Sequence, residues 1–196
     1  AGCVSTIGTI TPSASALTGA ELIPMVQSGA NVQATLSAIK AASRTYGAFS
    51  SGTDQTGSVS AGTAMTFDST DIADGITLAS SSHLVVPNDG IYNLQFSAQL
   101  KNLENAQYDA TIWFRINGVD VPNSATQITV PARKSASIFG YAVAAWNIFL
   151  EMNAGQYVQI VWLPSVVTMT VEALPASVSP AYPAIPSVIA TMNQVG

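Results

Sequence analysis

Three aspartates recur at every third position in one short segment, and they are the first candidates for chemistry. Asp68, Asp71 and Asp74 lie within the run Phe67–Gly75. Carboxylates gathered on a loop supply the oxygen ligands that calcium prefers, although the spacing differs from that of an EF-hand loop. Aspartate-rich loops also serve as turns and caps. The sequence favours turns and caps here and leaves calcium as the alternative.

Few residues of this chain suit hydrolysis. His83 is the only histidine, so a Ser-His-Asp triad would depend on it, and the chain has no Gly-x-Ser-x-Gly motif. A glycosidase needs two carboxyl groups about 5–10 Å apart, and nothing in the sequence brings together the acids considered, which are Glu104, Asp109, Glu151 and Glu172. We therefore expect a non-enzymatic protein without a cofactor, in which His83 is a hydrogen-bonded residue at the start of a strand.

Two basic positions suggest contacts with other molecules. Arg115 interrupts the apolar segment Ile112–Ile116 and, by strand alternation, shares a face with Trp113. We predict that it bonds to a carboxylate of a neighbouring subunit. Arg133 and Lys134 are expected on an exposed loop tip, either solvated or touching an acidic surface.

The composition is unusually poor in charge. Only 9% of residues are charged and 48% are hydrophobic, against about 25% charged in ordinary soluble domains. The longest apolar stretch, residues 136–150, is shorter than the ~20 residues of a membrane-spanning helix. An apolar surplus without a membrane span favours subunit contacts, which resemble a protein core cut in half. We therefore expect no membrane insertion.

The charge distribution argues against nucleic acid as a partner. The chain has 11 acidic and 6 basic residues, a net charge of −5. It has no stripe of lysine and arginine that would follow a phosphate backbone. Cys3 is the only cysteine, so no disulfide within the chain can support the fold.

Residues 1–46 form a distinct first region that is rich in Ala, Ser and Thr. Two short extended pieces around Ser28–Asn31 predict a hairpin, and Thr35 is expected to cap a helical turn or two. The region has too few large apolar residues to be stable alone. We expect it to be ordered either by three copies that wrap round one another or by docking on a partner, and segments that fold on docking make natural anchors. A flexible arm is the alternative. The predicted anchor residues are Leu22, Ile23, Met25, Val26, Leu36 and Ile39.

Residues 47–196 show regularly spaced turn signals between short strand-like segments. The clearest alternation lies in Ile91–Leu100, where Tyr92, Leu94, Phe96, Ala98 and Leu100 face one way and Asn93, Gln95, Ser97 and Gln99 the other. Further strands are predicted at Tyr108–Ile116, Tyr141–Met152 and Tyr157–Trp162. Many short strands with regular turns indicate an all-β sandwich or barrel.

Three segments in this order resemble a known superfamily. Pro87–Phe96, Trp113–Val119 and Asn153–Trp162 are similar to the strand series of the tumour-necrosis-factor and complement globular-head proteins, especially the versions in tailed-bacteriophage structural proteins. Gln156 stands where that family usually has Asp. The segment Pro180–Ile189 likewise resembles the stretch that introduces the last strand in phage relatives.

The resemblance implies a ten-strand jelly-roll sandwich that forms a tight homotrimer, preceded by a short hairpin-plus-helix anchor segment. It divides the chain into an anchor at residues 1–46 and a head domain at residues 47–196. The candidates for the trimer interface are Tyr92, Trp113, Arg115, Tyr157 and Trp162.

The function expected from this resemblance is structural. The chain would be a phage virion protein, made in the host cytoplasm and displayed on the virion surface. Residues 1–46 would attach it to the major capsid protein or another virion protein. At about 3.4 Å per residue this segment is too short for a long fibre shaft, which favours a capsid decoration or cement protein or a short head fibre. The alternative is the receptor-binding tip of a tail fibre, recognising carbohydrate or protein on the host surface.

Overall fold

The computed structural model describes residues 18, 20–36 and 45–196. The chain divides into two compact units, Ala1–Arg44 and Thr45–Gly196. The regular structure of the described part consists of antiparallel strands, which confirms the all-β prediction. In chain order these strands are β1 (Leu22–Gln27), β2 (Ala30–Thr35), β3 (Tyr46–Ser51), β4 (Gln55–Thr56), β5 (Thr63–Ala64), β6 (Ser69–Asp74), β7 (Thr77–Ala79), β8 (His83–Val85), β9 (Gly90–Asn102), β10 (Tyr108–Ile116), β11 (Val119–Asp120), β12 (Thr126–Val130), β13 (Gly140–Met152), β14 (Tyr157–Pro164), β15 (Thr170–Val171), β16 (Ser177–Val178), β17 (Ala181–Tyr182) and β18 (Val188–Gln194).

The first unit contains the predicted hairpin, formed by β1 and β2. Gln27 pairs with Ala30 across a two-residue turn. Ser28 and Gly29 occupy this turn with φ of 51° and 79°, the twist that matches the flanking strands. The helical turn predicted after Thr35 falls mainly on residues 37–44, which lie outside the described residues, as does Ile39.

The second unit is built from two main antiparallel sheets. The β9 sheet has the order β4-β15-β9-β18-β3-β6, with β13 on the other edge of β9. Both β18 and β15 lie along one edge of β9, because β18 pairs with Tyr92–Ala98 and β15 with Leu100 and Lys101. The β14 sheet has the order β11-β10-β14-β8-β7, with β12 also on β10 and β5 also on β14. Each sheet therefore has five strand positions across its width.

The long-range strand pairs of this unit are nested. β3 pairs with β18, β8 with β14, β9 with β13 and β10 with β12. Each pair encloses the next along the chain, and successive pairs alternate between the β9 sheet and the β14 sheet. The chain thus runs back along itself like one long hairpin distributed over two sheets.

The core fills the space between the two sheets. The predicted alternation in β9 is confirmed, since Tyr92, Leu94, Phe96, Ala98 and Leu100 are all buried. Phe96 meets Phe114 of the β14 sheet edge to face, with ring centroids 5.8 Å apart, and the ring of Trp146 lies 4.5 Å from that of Phe96. Such aromatic pairs each add about 0.5–1.5 kcal/mol beyond the area they bury.

Two of the predicted interface residues belong to this core. Tyr92 and Trp162 are 0% exposed within a single chain. The hydroxyl of Tyr92 donates a hydrogen bond to the carbonyl oxygen of Asn88 at 2.8 Å. Both side chains lie on the inward side of their strands, so neither is available to a neighbouring subunit. The interface prediction is wrong for these two residues.

Gly140 begins β13 at a point of very close backbone approach. A Cβ atom there would lie 1.8 Å from the carbonyl oxygen of Pro131. We expect Gly140→Ala to lower the free energy of unfolding by about 3 kcal/mol, because a backbone neighbour cannot move aside cheaply. Urea denaturation measures this. Gly52→Ala is the matched control, since its added methyl group meets nothing within 4 Å, and equal midpoints for the two variants would contradict the prediction.

Candidate subunit interface

The outward face of the β9 sheet carries exposed apolar side chains. Alternate residues of β13 point away from the core, and among them Tyr141, Val143 and Phe149 are 48%, 58% and 62% exposed. Ile189 of β18 and Ile72 of β6 are exposed on the same side. We call the outward residues of β13, β9, β18, β3 and β6 the outer face.

The middle of the outer face is neutral. Phe149 stands opposite Asn93, and Ala145 stands opposite Ser97, which is also opposite Ile189. Between Lys101 and Glu151, no outward residue of β9, β13 or β18 is charged. Uncharged amide and hydroxyl groups cost much less to remove from water than charges do. Another protein surface can therefore cover the outer face at a small desolvation cost.

Small residues at the centre of the outer face permit close approach. Shallow hollows lie beside Gln95, one lined by Ala145 and Trp146 and another by Ser97 and Ile189. Asn147 donates a hydrogen bond to the amide oxygen of Asn93 at 3.3 Å, which orders the polar groups in this area. Several exposed apolar side chains on one uncharged face are typical of interaction sites in soluble proteins. This face is the candidate functional site.

A buried ion pair closes one end of the outer face. Lys101 pairs with Glu172, and their side chains are only 15% and 9% exposed. The ammonium group of Lys101 also lies 4.2 Å from the centre of the Phe139 ring. Burial, followed by the neighbouring carboxylate of Glu172, raises the pKa of Tyr141 to about 12. This end of the face is therefore held rigidly by charge and aromatic contacts.

The shifted tyrosine makes stability sensitive to alkali. Because the pKa of Tyr141 is higher in the folded chain than the ordinary value of 10.0, the unfolded chain loses this proton first, and stability falls as the pH rises from about 10 to about 12. We expect Tyr141→Phe to lose less stability over that range. Urea midpoints measured at several pH values test this, with a measurement at about pH 8 as the internal reference. Equal alkaline losses in both proteins would contradict it.

The remaining interface candidates lie on the outward side of the β14 sheet. Nε of Arg115 lies 2.8 Å from Oδ1 of Asp120, and Nε1 of Trp113 donates to the same oxygen at 2.7 Å. The hydrogen bond from Trp113 and then that from Arg115 lower the pKa of Asp120. Arg115 thus has a carboxylate partner within its own chain, which fixes the turn between β10 and β11. The bond from Arg115 to another subunit stays a prediction.

The sole histidine belongs to a stacked aromatic pair. His83 begins β8, as predicted. Its ring lies 3.7 Å from the ring of Tyr157 with only 5° between the planes, and in the described residues this stack takes the place of the predicted side-chain hydrogen bond. The stack occupies the outward side of the β14 sheet and includes the last interface candidate, Tyr157. Among the carboxylates considered for hydrolysis, Glu104 accepts from Thr168 at 2.8 Å, so it is held by a neutral donor.

The three aspartates do not converge on a metal site. The segment predicted as a loop forms the edge strand β6, and a strand advances about 3.3 Å per residue, which separates Asp68 from Asp74 by about 20 Å. Asp68 accepts from the backbone N–H of Gly52 at 3.0 Å, and Asp71 accepts from the hydroxyl of Ser50 at 2.9 Å. In the described residues no group of three potential ligands could hold a metal ion. The calcium alternative is wrong for this trio.

The predicted anchor residues of the first unit are exposed on their hairpin. Leu22, Ile23, Met25 and Val26 are 59%, 38%, 43% and 67% exposed, and Leu36 is half-buried. The N–H of Leu36 donates to the carbonyl oxygen of Glu21 at 3.0 Å, which extends the hairpin ladder. An isolated two-stranded hairpin is only marginally stable in water. These side chains are therefore suited to burial against another surface.

Comparison with family models and with curated proteins found no relative of the chain. No protein-family model matches the chain, and no curated protein matches it significantly. No helix among the described residues is both long and apolar enough to cross a membrane. An assignment of function thus depends on the fold, on the outer face and on the sequence motifs of the second unit.

Proposed function

We propose that the chain is a non-enzymatic structural protein of a phage virion, with a jelly-roll head formed by its second unit. The nested strand pairs support the jelly roll, since winding one long hairpin around two sheets produces that fold. Five strand positions in each sheet give the ten strands that the family resemblance implies. The motifs in Pro87–Phe96, Trp113–Val119 and Asn153–Trp162 add the link to phage proteins.

The head assembles as a homotrimer through its outer face. The observation that carries this proposal is the neutral face with Phe149, Val143 and Tyr141 exposed in one chain. Three such faces brought around a common axis bury one another, as the apolar surfaces of obligate oligomers do. The resemblance to trimeric heads favours three copies over two. The proposed interface is thus the outward face of the β9 sheet, and the earlier candidates Trp113, Arg115 and Tyr157 lie on the other sheet.

The first region attaches the trimer to the particle. Exposed apolar side chains on a marginal hairpin favour docking, and the major capsid protein or another virion protein is the proposed partner. The trimer would then decorate or cement the capsid, at the virion surface, after synthesis in the host cytoplasm. A protein in this role needs no cofactor, nucleic acid or membrane insertion.

Antibody-gold electron microscopy of intact particles tests this location. With antibody raised against residues 47–196, we expect gold scattered over the phage head. A variant that lacks residues 1–44 should still form trimers. Particles reconstituted with this variant should bind no gold, because the variant cannot attach to them. Absence of gold from all particles would overturn the virion proposal.

One observation favours a receptor-binding tip as the second candidate. The second unit begins at Thr45, and β3 runs from there to Ser51. We call the end of the unit at which Ser51 lies the far end. The hairpin of β16 and β17 follows Ala173, whose N–H donates to Asp54 at that end. Val178 and Tyr182 in this hairpin are 95% and 44% exposed. Gold confined to the phage tail would support this candidate.

A further inference from the structure

A groove opens at the far end of the second unit, beside the β6 edge of the β9 sheet. It has a volume of about 470 Å³, with apolar walls and two carboxylates; the residues that matter are Asp54, Asp68, Leu174, Pro175, Ile185 and Pro186. Two backbone hydrogen bonds between Leu174 and Ile185, of 2.9 and 2.8 Å, fix its apolar side. The groove is therefore preformed.

The carboxylates of the groove are positioned without a neutralising cation. Asp54 accepts from the N–H of Ala173 at 2.8 Å, and Asp68 accepts from the N–H of Gly52. Within the described residues the ion pairs are Lys101 with Glu172 and Arg115 with Asp120, so neither groove carboxylate belongs to one. The groove thus combines apolar walls with two uncompensated negative charges.

A loop at the opposite edge of the same sheet has the complementary chemistry. Residues 131–139 lead into β13 and carry Arg133 and Lys134, the two cations of residues 45–196 that lie outside both ion pairs. The N–H of Arg133 donates to the carbonyl oxygen of Glu104, and that of Lys134 to Ile138, each at 2.8 Å. Ile138 is 55% exposed. Backbone hydrogen bonds hold the loop, which carries two positive charges and the exposed apolar side chain of Ile138.

The topology places this loop and the groove at the same end of the sheet: the loop lies at the β13 edge, and the groove runs from the β6 edge inward to Ala173 beside β15. β13 begins opposite Asn102, and β6 begins with Ser69 opposite Ser50, both at the far end. Four strand spacings of about 4.8 Å separate β13 from β6. In a ring of copies, a patch on one edge of a subunit meets a different patch on the opposite edge of the next.

We infer that the loop of residues 131–139 from one copy docks in the groove of the next copy. Arg133 and Lys134 face Asp54 and Asp68, and Ile138 packs on the apolar wall. This inference rests on the proposed trimer and adds its specificity, because complementary charge at an interface fixes orientation more than it adds affinity. Each of the three subunits supplies one loop and receives one.

Site-specific cross-linking tests the contact. In a Cys3→Ser background, Ala136→Cys marks the loop and Ala184→Cys marks the groove, and both positions are exposed. Arg133 and Lys134 stay intact. A short bis-maleimide should convert the double variant to covalent trimers on a denaturing gel. Each single variant should remain uncross-linked, because copies of the same residue lie apart around the axis.

The outcomes separate this inference from the trimer itself. Light scattering of the untreated double variant gives its mass in solution. Trimers that fail to cross-link would overturn the loop-groove contact and leave the trimer standing, whereas monomers would overturn the proposed trimer. Adding Arg133→Glu and Lys134→Glu should abolish most of the cross-linking, and Asp54→Lys should restore part of it. A yield indifferent to these reversals would refute the charge pairing.

Discussion

Phe149→Asp should convert the proposed trimer to monomers. Phe149 is 62% exposed in one chain and lies in the neutral middle of the outer face, opposite Asn93. Losing the burial of a phenylalanine removes about 2 kcal/mol per subunit, and placing an unpaired carboxylate in the interface costs several more. Since each 1.4 kcal/mol is about a factor of ten in affinity, the affinity between subunits should fall by several powers of ten.

Light scattering coupled to size-exclusion chromatography measures the effect. Val119→Asp is the matched control, because Val119 is 71% exposed but lies on β11 of the other sheet. It should stay trimeric. Both variants should keep the circular dichroism spectrum of the parent, since neither side chain belongs to the core. A trimeric Phe149→Asp protein would show that the outer face is not the interface.

Strand alternation made much of the second unit predictable from sequence. Tyr108–Ile116 is found as β10 with the predicted bounds, and β9 contains the whole of Ile91–Leu100 with the predicted buried face. The Asn117-Gly118 pair, a turn signal in the sequence, joins β10 to β11 with positive φ at both residues. Period-two patterns and Asn-Gly turns are local signals, so they can be recognised in the sequence without knowledge of the tertiary structure.

The aspartate segment shows where local signals fail. Aspartate is depleted in strands, so a loop was the natural prediction for residues 67–75. Pairing with β3 instead draws Ser69–Asp74 into an edge strand. An edge strand has one side open to water, and carboxylates there also discourage pairing with other chains. Tertiary pairing thus outweighs the propensity of the residues.

The candidate site could be predicted only in part from the sequence. Alternation groups Tyr92 with Leu94 and separates Trp113 from Phe114, but it does not say which sheet is left uncovered. The usable signal was in β13, where Tyr141, Val143 and Phe149 alternate with the inward Trp146. The bond from Arg115 to Asp120 could not be predicted from sequence, because Asp120 comes next to Arg115 only after the Asn-Gly turn reverses the chain.

Lys101→Met should destabilise the second unit more than any other change to its charged residues. The substitution leaves the carboxylate of Glu172, only 9% exposed, without its ammonium partner. Its Oε2 atom already has no hydrogen-bond partner among the described residues. Removing one member of a buried pair typically costs about 3–5 kcal/mol. Urea denaturation should therefore show the free energy of unfolding lowered by about that amount.

A double-mutant cycle separates the unpaired charge from lost packing. Glu172→Leu should cost less than Lys101→Met, because a freed lysine ammonium can turn toward water along its flexible stem. The double variant Lys101→Met, Glu172→Leu should recover most of the stability, since an apolar pair can replace a buried ion pair at little cost. It also loses the cation–π contact with Phe139, so full recovery is not expected. Additive losses would contradict this account, because they would mean that the two charges contribute independently.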